Sequence, residues 1–152
     1  MDELALRNRL RDAALFIGQL GATIPEFLRQ NPPPIGFISF DLDYYSSTIQ
    51  AFQIFDGDAN GRLPRVYCYF DEIFFPELCC HNEYIGELAA IKDFNIASWK
   101  RKLCPLNLLR NMRAHPAAWN DQIYVLRDFL HPLYCTVVYS PGAATQMPLS
   151  PD

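Results

Sequence analysis

Two pairs of acidic residues stand at matching places in this chain, each directly after an apolar run. Asp41 and Asp43 follow Ile35-Gly-Phe-Ile-Ser-Phe40, and Asp71 and Glu72 follow Arg65-Val-Tyr-Cys-Tyr-Phe70. Runs of this kind are what a β-strand covered on both faces requires. Acids that follow such strands stand at their carboxyl ends, the rim where open α/β sheets bind ligands. If the two strands are neighbours, about 4.8 Å apart, Asp43, Asp71 and Glu72 can meet at one point, where their charges repel unless neutralised. A hard divalent cation answers that need. Mg2+ takes oxygen ligands, keeps several waters and leaves room for a substrate oxygen, whose hydroxyl pKa it lowers. Asp41 shares the strand parity of Asp43 and is expected to be structural, inside the sheet end. Tyr44 and Tyr45 either line a substrate pocket or cover the sheet edge. The competing reading has Asp43 and Asp71 capping helices or pairing with Arg62, Arg65 or Lys92.

Other groups compete for a role. Asp41-Leu-Asp43 is a D-x-D after an apolar strand, as in metal-dependent phosphatases of the haloacid dehalogenase type and in nucleotide-sugar glycosyltransferases. Tyr44 and Tyr45 stand where the first of these wants Gly and Thr. Asp56-Gly-Asp-Ala-Asn-Gly61 matches the first half of an EF-hand loop, but its twelfth position is Tyr67 rather than a bidentate Glu, so it reads as a solvated turn. Cys79-Cys80-His81 has no partner cluster and reads as thiols beside a surface histidine. His115 and His131 each precede a proline, and turn histidines are the expectation over general bases. The glycines never form G-x-G-x-x-G or a phosphate loop.

The elements that must position these groups alternate. Asp2 to Arg11 fits a surface helix with Leu4, Leu6 and Leu10 on one stripe, and Ala14 to Gly18 is a short strand candidate. Thr23-Ile-Pro-Glu26 has capping-box spacing with Pro25 in a first turn, which predicts a helix through Phe27 and Leu28, ended by Asn31-Pro-Pro-Pro34. After the strand at Ile35 to Phe40, Ser47 and Gln50 cap a helix bearing Ile49, Phe52 and Phe55. Beyond the strand at Arg65 to Phe70, Asn82 caps a helix bearing Tyr84, Leu88, Ile91 and Phe94. Leu103 to Leu109 and Gln122 to Phe129 are late strands, with Pro116 to Trp119 between them. The alternation is βαβ in character and predicts an α/β fold with a mostly parallel sheet.

Composition sets the frame. The 152 residues are 50% hydrophobic and 20% charged, enough for one domain with its own core. It is expected to span residues 1–140, with 141–152 as a flexible tail. A net charge of -4 with interspersed signs offers no footprint for nucleic acid or a membrane surface. Met1 to Leu10 has no long apolar run, which places the chain in the cytoplasm. Five cysteines without a C-x-x-C pair argue against disulfides and structural zinc.

The stretches Ile35-Gly-Phe-Ile-Ser-Phe-Asp-Leu-Asp-Tyr-Tyr-Ser-Ser-Thr48, Leu63-Pro-Arg-Val-Tyr-Cys-Tyr-Phe-Asp-Glu-Ile73 and Asn82-Glu-Tyr-Ile-Gly-Glu87 resemble class I S-adenosylmethionine-dependent methyltransferases of the macrocin O-methyltransferase type. The resemblance covers roughly Ala14 to Tyr134. It implies a Rossmann-like, mostly parallel sheet with helices on both faces, and Mg2+ held by Asp43, Asp71 and Glu72 beside an acceptor hydroxyl. Asp43 would also assist deprotonation as the catalytic residue, and Glu72, standing where the family has Asp, would reach further. The activity implied is O-methyl transfer from S-adenosylmethionine to a small hydroxyl-bearing molecule. The family's glycine-rich loop after the first strand and the acid after the second have no counterpart here. The chain is therefore expected to lack the first two strands and the cofactor-binding half, and to be weakly active or inactive alone. Those strands lie, in the superfamily, between Ala14–Gly18 and Ile35–Phe40, so the chain would pair with another copy or with a missing N-terminal half. The alternative is a non-catalytic assembly module that completes its sheet by oligomerisation.

Overall fold

The computed structural model describes residues 3–10, 12–73 and 82–136. The expected tail at 141–152 and the Cys79-Cys80-His81 group lie outside the described residues. Helices α1 (Glu3–Arg9) and α2 (Leu20–Arg29) precede strand β1 (Ile35–Phe40), helix α3 (Tyr45–Ala51), a 3-10 turn at Phe52–Phe55 and strand β2 (Arg62–Phe70). Helix α4 (Gly86–Ala97), strand β3 (Arg101–Pro105) and strand β4 (Ile123–Asp128) complete the order.

The sheet has four strands in the order β1-β2-β4-β3. Strands β1 and β2 are parallel, with Phe37 to Phe40 opposite Tyr67 to Phe70. Strand β4 is antiparallel to both β2 and β3. Thus β1, β2 and β3 point one way, but only one of three pairings is parallel, which corrects the expected mostly parallel sheet. The cause is the connection before β4. A parallel return needs a crossover of helical length, and between Pro105 and Ile123 there are only two 3-10 turns, Arg110–Met112 and Ala118–Asp121.

The core lies on one side of the sheet. Phe40, Val66, Cys68, Phe70, Leu103 and Leu126 are buried there against Ile24 of α2, Ala51 of α3, Phe52, Phe55, and Ala90 and Ile91 of α4. The alternation in β1 and β2 then turns Phe37 and Tyr67 to the opposite face, where they are 60% and 49% exposed. Among the described residues, the helices that bury side chains into this core cover one face rather than the expected two.

Local signals shifted in several places. Ala14 to Gly18 joins no strand; Ala14 to Ile17 carry no regular structure, Gly18 stands at a bend, Phe16 meets Phe27 edge-on, and no described strand pairs with them. Helix α2 begins five residues before Pro25, with Gln19 as N-cap, and the Thr23 hydroxyl donates back to the Gln19 carbonyl instead of capping. Tyr44, not Ser47, is the N-cap of α3. Asn82 accepts from the Tyr84 amide, but α4 starts only at Gly86. Gly86 has φ +54°, and a Cβ there would stand 3.7 Å from the Asp43 carbonyl. A left-handed entry beside another backbone is a place for glycine.

Candidate metal centre

Because β1 and β2 pair in parallel, Phe40 and Phe70 lie side by side at the two strand ends. Their rings stack with centroids 4.7 Å apart and 10° between planes, and the Asp71 amide donates to the Phe40 carbonyl at 3.1 Å. The residues that follow, Asp41 and Asp71, therefore leave the sheet at the same level. One carboxylate oxygen each from Asp41, Asp71 and Glu72 lies within 4.8 Å of the others.

The sequence reading put Asp43 in the cluster and Asp41 inside the sheet end, and here the structure differs. It brings Asp71 and Glu72 together as expected but joins Asp41 to them rather than Asp43. Parity applies only inside a paired strand, and β1 ends at Phe40. Asp41 is thus the register-equivalent of Asp71, while Asp43 is an exposed turn residue before α3. The three bases offered as alternative partners are engaged elsewhere. Arg62 pairs with Asp128, Lys92 with Glu83, and Arg65 lies 4.7 Å over the Tyr134 ring.

Three further side chains hold the cluster. The Tyr69 hydroxyl donates to Asp71 Oδ1 at 2.5 Å, and that bond to the carboxylate, with burial, pushes the phenol up to about 12. Gln122, buried between the 3-10 turn at Ala118–Asp121 and the start of β4, donates through Nε2 to the Asp71 carbonyl at 2.6 Å. Glu87, in the first turn of α4 and 1% exposed, accepts the Glu72 amide at Oε2 at 3.1 Å. Burial pushes its carboxyl up to about 8 against the pull of the Glu72 and Leu42 amides, and the nearby Glu72 and Asp71 charges push it further the same way. Its Oε1 is buried without a partner. At neutral pH this is a mostly protonated acid beneath a cluster of acids. Spacing alone did not single out Tyr69, Gln122 or Glu87; Tyr69, two residues before Asp71 on the same strand, was the readable one.

Asp41 also borders a mostly apolar cavity of about 300 Å³, lined by Leu20, Ile24, Ile38, Phe40 and Ala51. Neither Tyr44 nor Tyr45 lines it. Tyr44 is exposed, and the Tyr45 hydroxyl donates to Asp93 at 2.7 Å, a bond that raises its pKa.

The EF-hand-like loop is filled from within. Arg62 Nη1 donates to the Gly57 carbonyl at 2.6 Å and the Asp58 carbonyl at 3.2 Å, placing a cation of the chain's own on the loop backbone. His131 is structural. Its Nδ1 accepts the Leu133 amide at 3.0 Å, which leaves Nε2 to donate to the Ala59 and Arg62 carbonyls at 3.0 and 3.1 Å. His115 is exposed. No helix among the described residues is long and apolar enough to cross a membrane. Compared with protein-family models, curated proteins and solved structures, the chain matches none of them.

Proposed function

We propose that this chain is the cation- and acceptor-binding part of a methyltransferase-type domain, with Asp41, Asp71 and Glu72 as the oxygen ligands. The observation that carries this reading is the convergence of the three carboxylates at the carboxyl ends of two parallel neighbouring strands, beside the cavity that Asp41 borders. The crossovers from β1 to β2 and from β2 to β3 each contain a helix and leave β1, β2 and β3 pointing the same way, which supports an α/β reading.

The donor set fits a hard cation. Of three oxygens on one octahedral Mg2+ at most one pair is opposite, roughly 4.2 Å apart, and the others are adjacent, roughly 3.0 Å apart, so oxygens that lie within 4.8 Å of one another would draw inward on binding. When bound, the ion supplies Lewis acidity that lowers the pKa of an acceptor hydroxyl. The chain's own residues do the positioning: Phe40 and Phe70 align the strand ends, Tyr69 and Gln122 hold Asp71, and the apolar cavity takes the body of the acceptor. Asp43 lies outside this ligand set, exposed in the turn between Asp41 and α3.

The residues do not fit S-adenosylmethionine. The glycine-rich loop that holds this donor in the superfamily has no counterpart in the sequence, and Gly21, Gly36 and Gly57 face side chains of this chain while Gly61 stands without a second glycine beside it. Methyl transfer would therefore require donor-binding strands from outside this stretch of sequence. Isothermal titration with Mn2+ and Mg2+ tests the reading: saturable binding at one site, abolished in Asp71→Asn, is expected, and no binding heat at millimolar Mn2+ would end it.

A further inference from the structure

We infer that the free edge of β1 is a pairing edge, and that its occupant is a second copy of this chain, added antiparallel about a two-fold axis at Phe37. Strand β1 is outermost in the order β1-β2-β4-β3 and pairs on one side only, with β2. No described backbone group bonds to its outer side. Edge strands are normally blunted by charges, prolines or bulges. Here Pro34 and a register irregularity sit at the very start, and Phe37 to Phe40 runs regular and uncharged.

Charge favours a like partner. No ionisable residue stands between Asn31 and Phe40, so two copies meet without repulsion along the edge despite a net charge of -4 each. With Phe37 on the axis, Asp41 of one copy falls opposite Pro33 of the other rather than opposite another acid.

The register follows from face parity. Residues directly opposite in an antiparallel pair share a face, so a two-fold pairing must set one residue against its own copy. Phe37 is the residue that gains most. It is 60% exposed on the face without helices, in register with Tyr67, which is 49% exposed. An axis at Phe37 extends that row into four adjacent rings, Tyr67 and Phe37 of one copy against Phe37 and Tyr67 of the other, and aromatic cross-strand pairs are favourable. An axis at Ile38 would set Phe37 against Ser39 and leave the rings half covered. The two-fold contact consumes both β1 edges, so association through β1 closes at a dimer. One short edge falls in the class of small interfaces, below about 1,200 Å², which predicts a concentration-dependent association.

The test is sedimentation equilibrium of the whole chain from about 1 to about 100 μM, the range in which weak interfaces dissociate. The wild type is expected to shift from monomer to dimer across that range, and Phe37→Lys and Ser39→Lys, both at exposed positions, to stay monomeric with unchanged circular dichroism. Under mild oxidation Phe37→Cys is expected to form a disulfide-linked dimer well above the wild-type level, since opposite Cβ atoms lie about 5 Å apart. A wild type that stays monomeric throughout overturns the inference and leaves the edge to a different polypeptide. A dimer that both lysine variants retain overturns it in favour of another surface.

Discussion

The backbone amide of Glu72 donates to Oε2 of Glu87 at 3.1 Å, fastening the acid that follows β2 to the first turn of α4. Glu87 is almost wholly buried, and its position explains how acids from separate parts of the chain tolerate one another: the innermost of them keeps its proton.

That arrangement has a pH signature. Burial raises the Glu87 carboxyl from its ordinary value of 4.5 to about 8. A raised acid stabilises the folded state fully below its unfolded pKa and loses that contribution as pH rises toward its folded one. Between pH 4.5 and 8 the folded form binds up to one more proton than the unfolded, so stability falls by up to about 1.4 kcal/mol per pH unit from this group. Glu87→Gln removes the slope. With a chelator present, urea unfolding is expected to show the variant gaining on the wild type steadily from pH 5 to pH 8; parallel curves would refute it.

Asp41 and Asp43 make opposite predictions for the cation. Removing a ligand is expected to cost at least the tenfold or more that loss of a supporting group costs. Asp41→Asn should therefore weaken Mn2+ binding at least about tenfold, whereas Asp43→Asn should leave affinity within about threefold. Titration calorimetry of both variants decides, and the reverse ranking would reinstate Asp43 as the ligand.

The ion pair between Arg62 and Asp128 is buried, with contacts of 2.6 and 3.1 Å. Asp128→Asn leaves a guanidinium buried without its counter-charge and is expected to cost about 3–5 kcal/mol in urea unfolding. Asp121→Asn, which breaks a half-exposed pair with Arg110, is expected to cost less than about 1 kcal/mol. Equal effects would mean that burial does not govern the first pair.

Gly86 enters α4 at φ +54°. Gly86→Ala imposes a left-handed strain of about 1–2 kcal/mol on the turn that meets the Asp43 carbonyl. The expected outcome is a melting temperature lowered by several degrees; an unchanged value would show that the turn can relax.

The apolar runs at Ile35 to Phe40 and Arg65 to Phe70, their closing acids and the helix between them were legible from residue order, because hydrophobic periodicity and chain breaks are local properties. So were the late strand at Ile123 to Asp128 and the turn at Asp56 to Gly61. The choice of Asp41 over Asp43 was not. It depends on where β1 stops pairing, and that is set by β2 through the Phe40–Phe70 stack. Nor could sequence place β4 between β2 and β3, or bring Glu87 and Gln122 under the acids, since those contacts join residues far apart in the chain. Local order determined which groups stand at strand ends; only the packed sheet, by fixing register and neighbours, decided which of them meet.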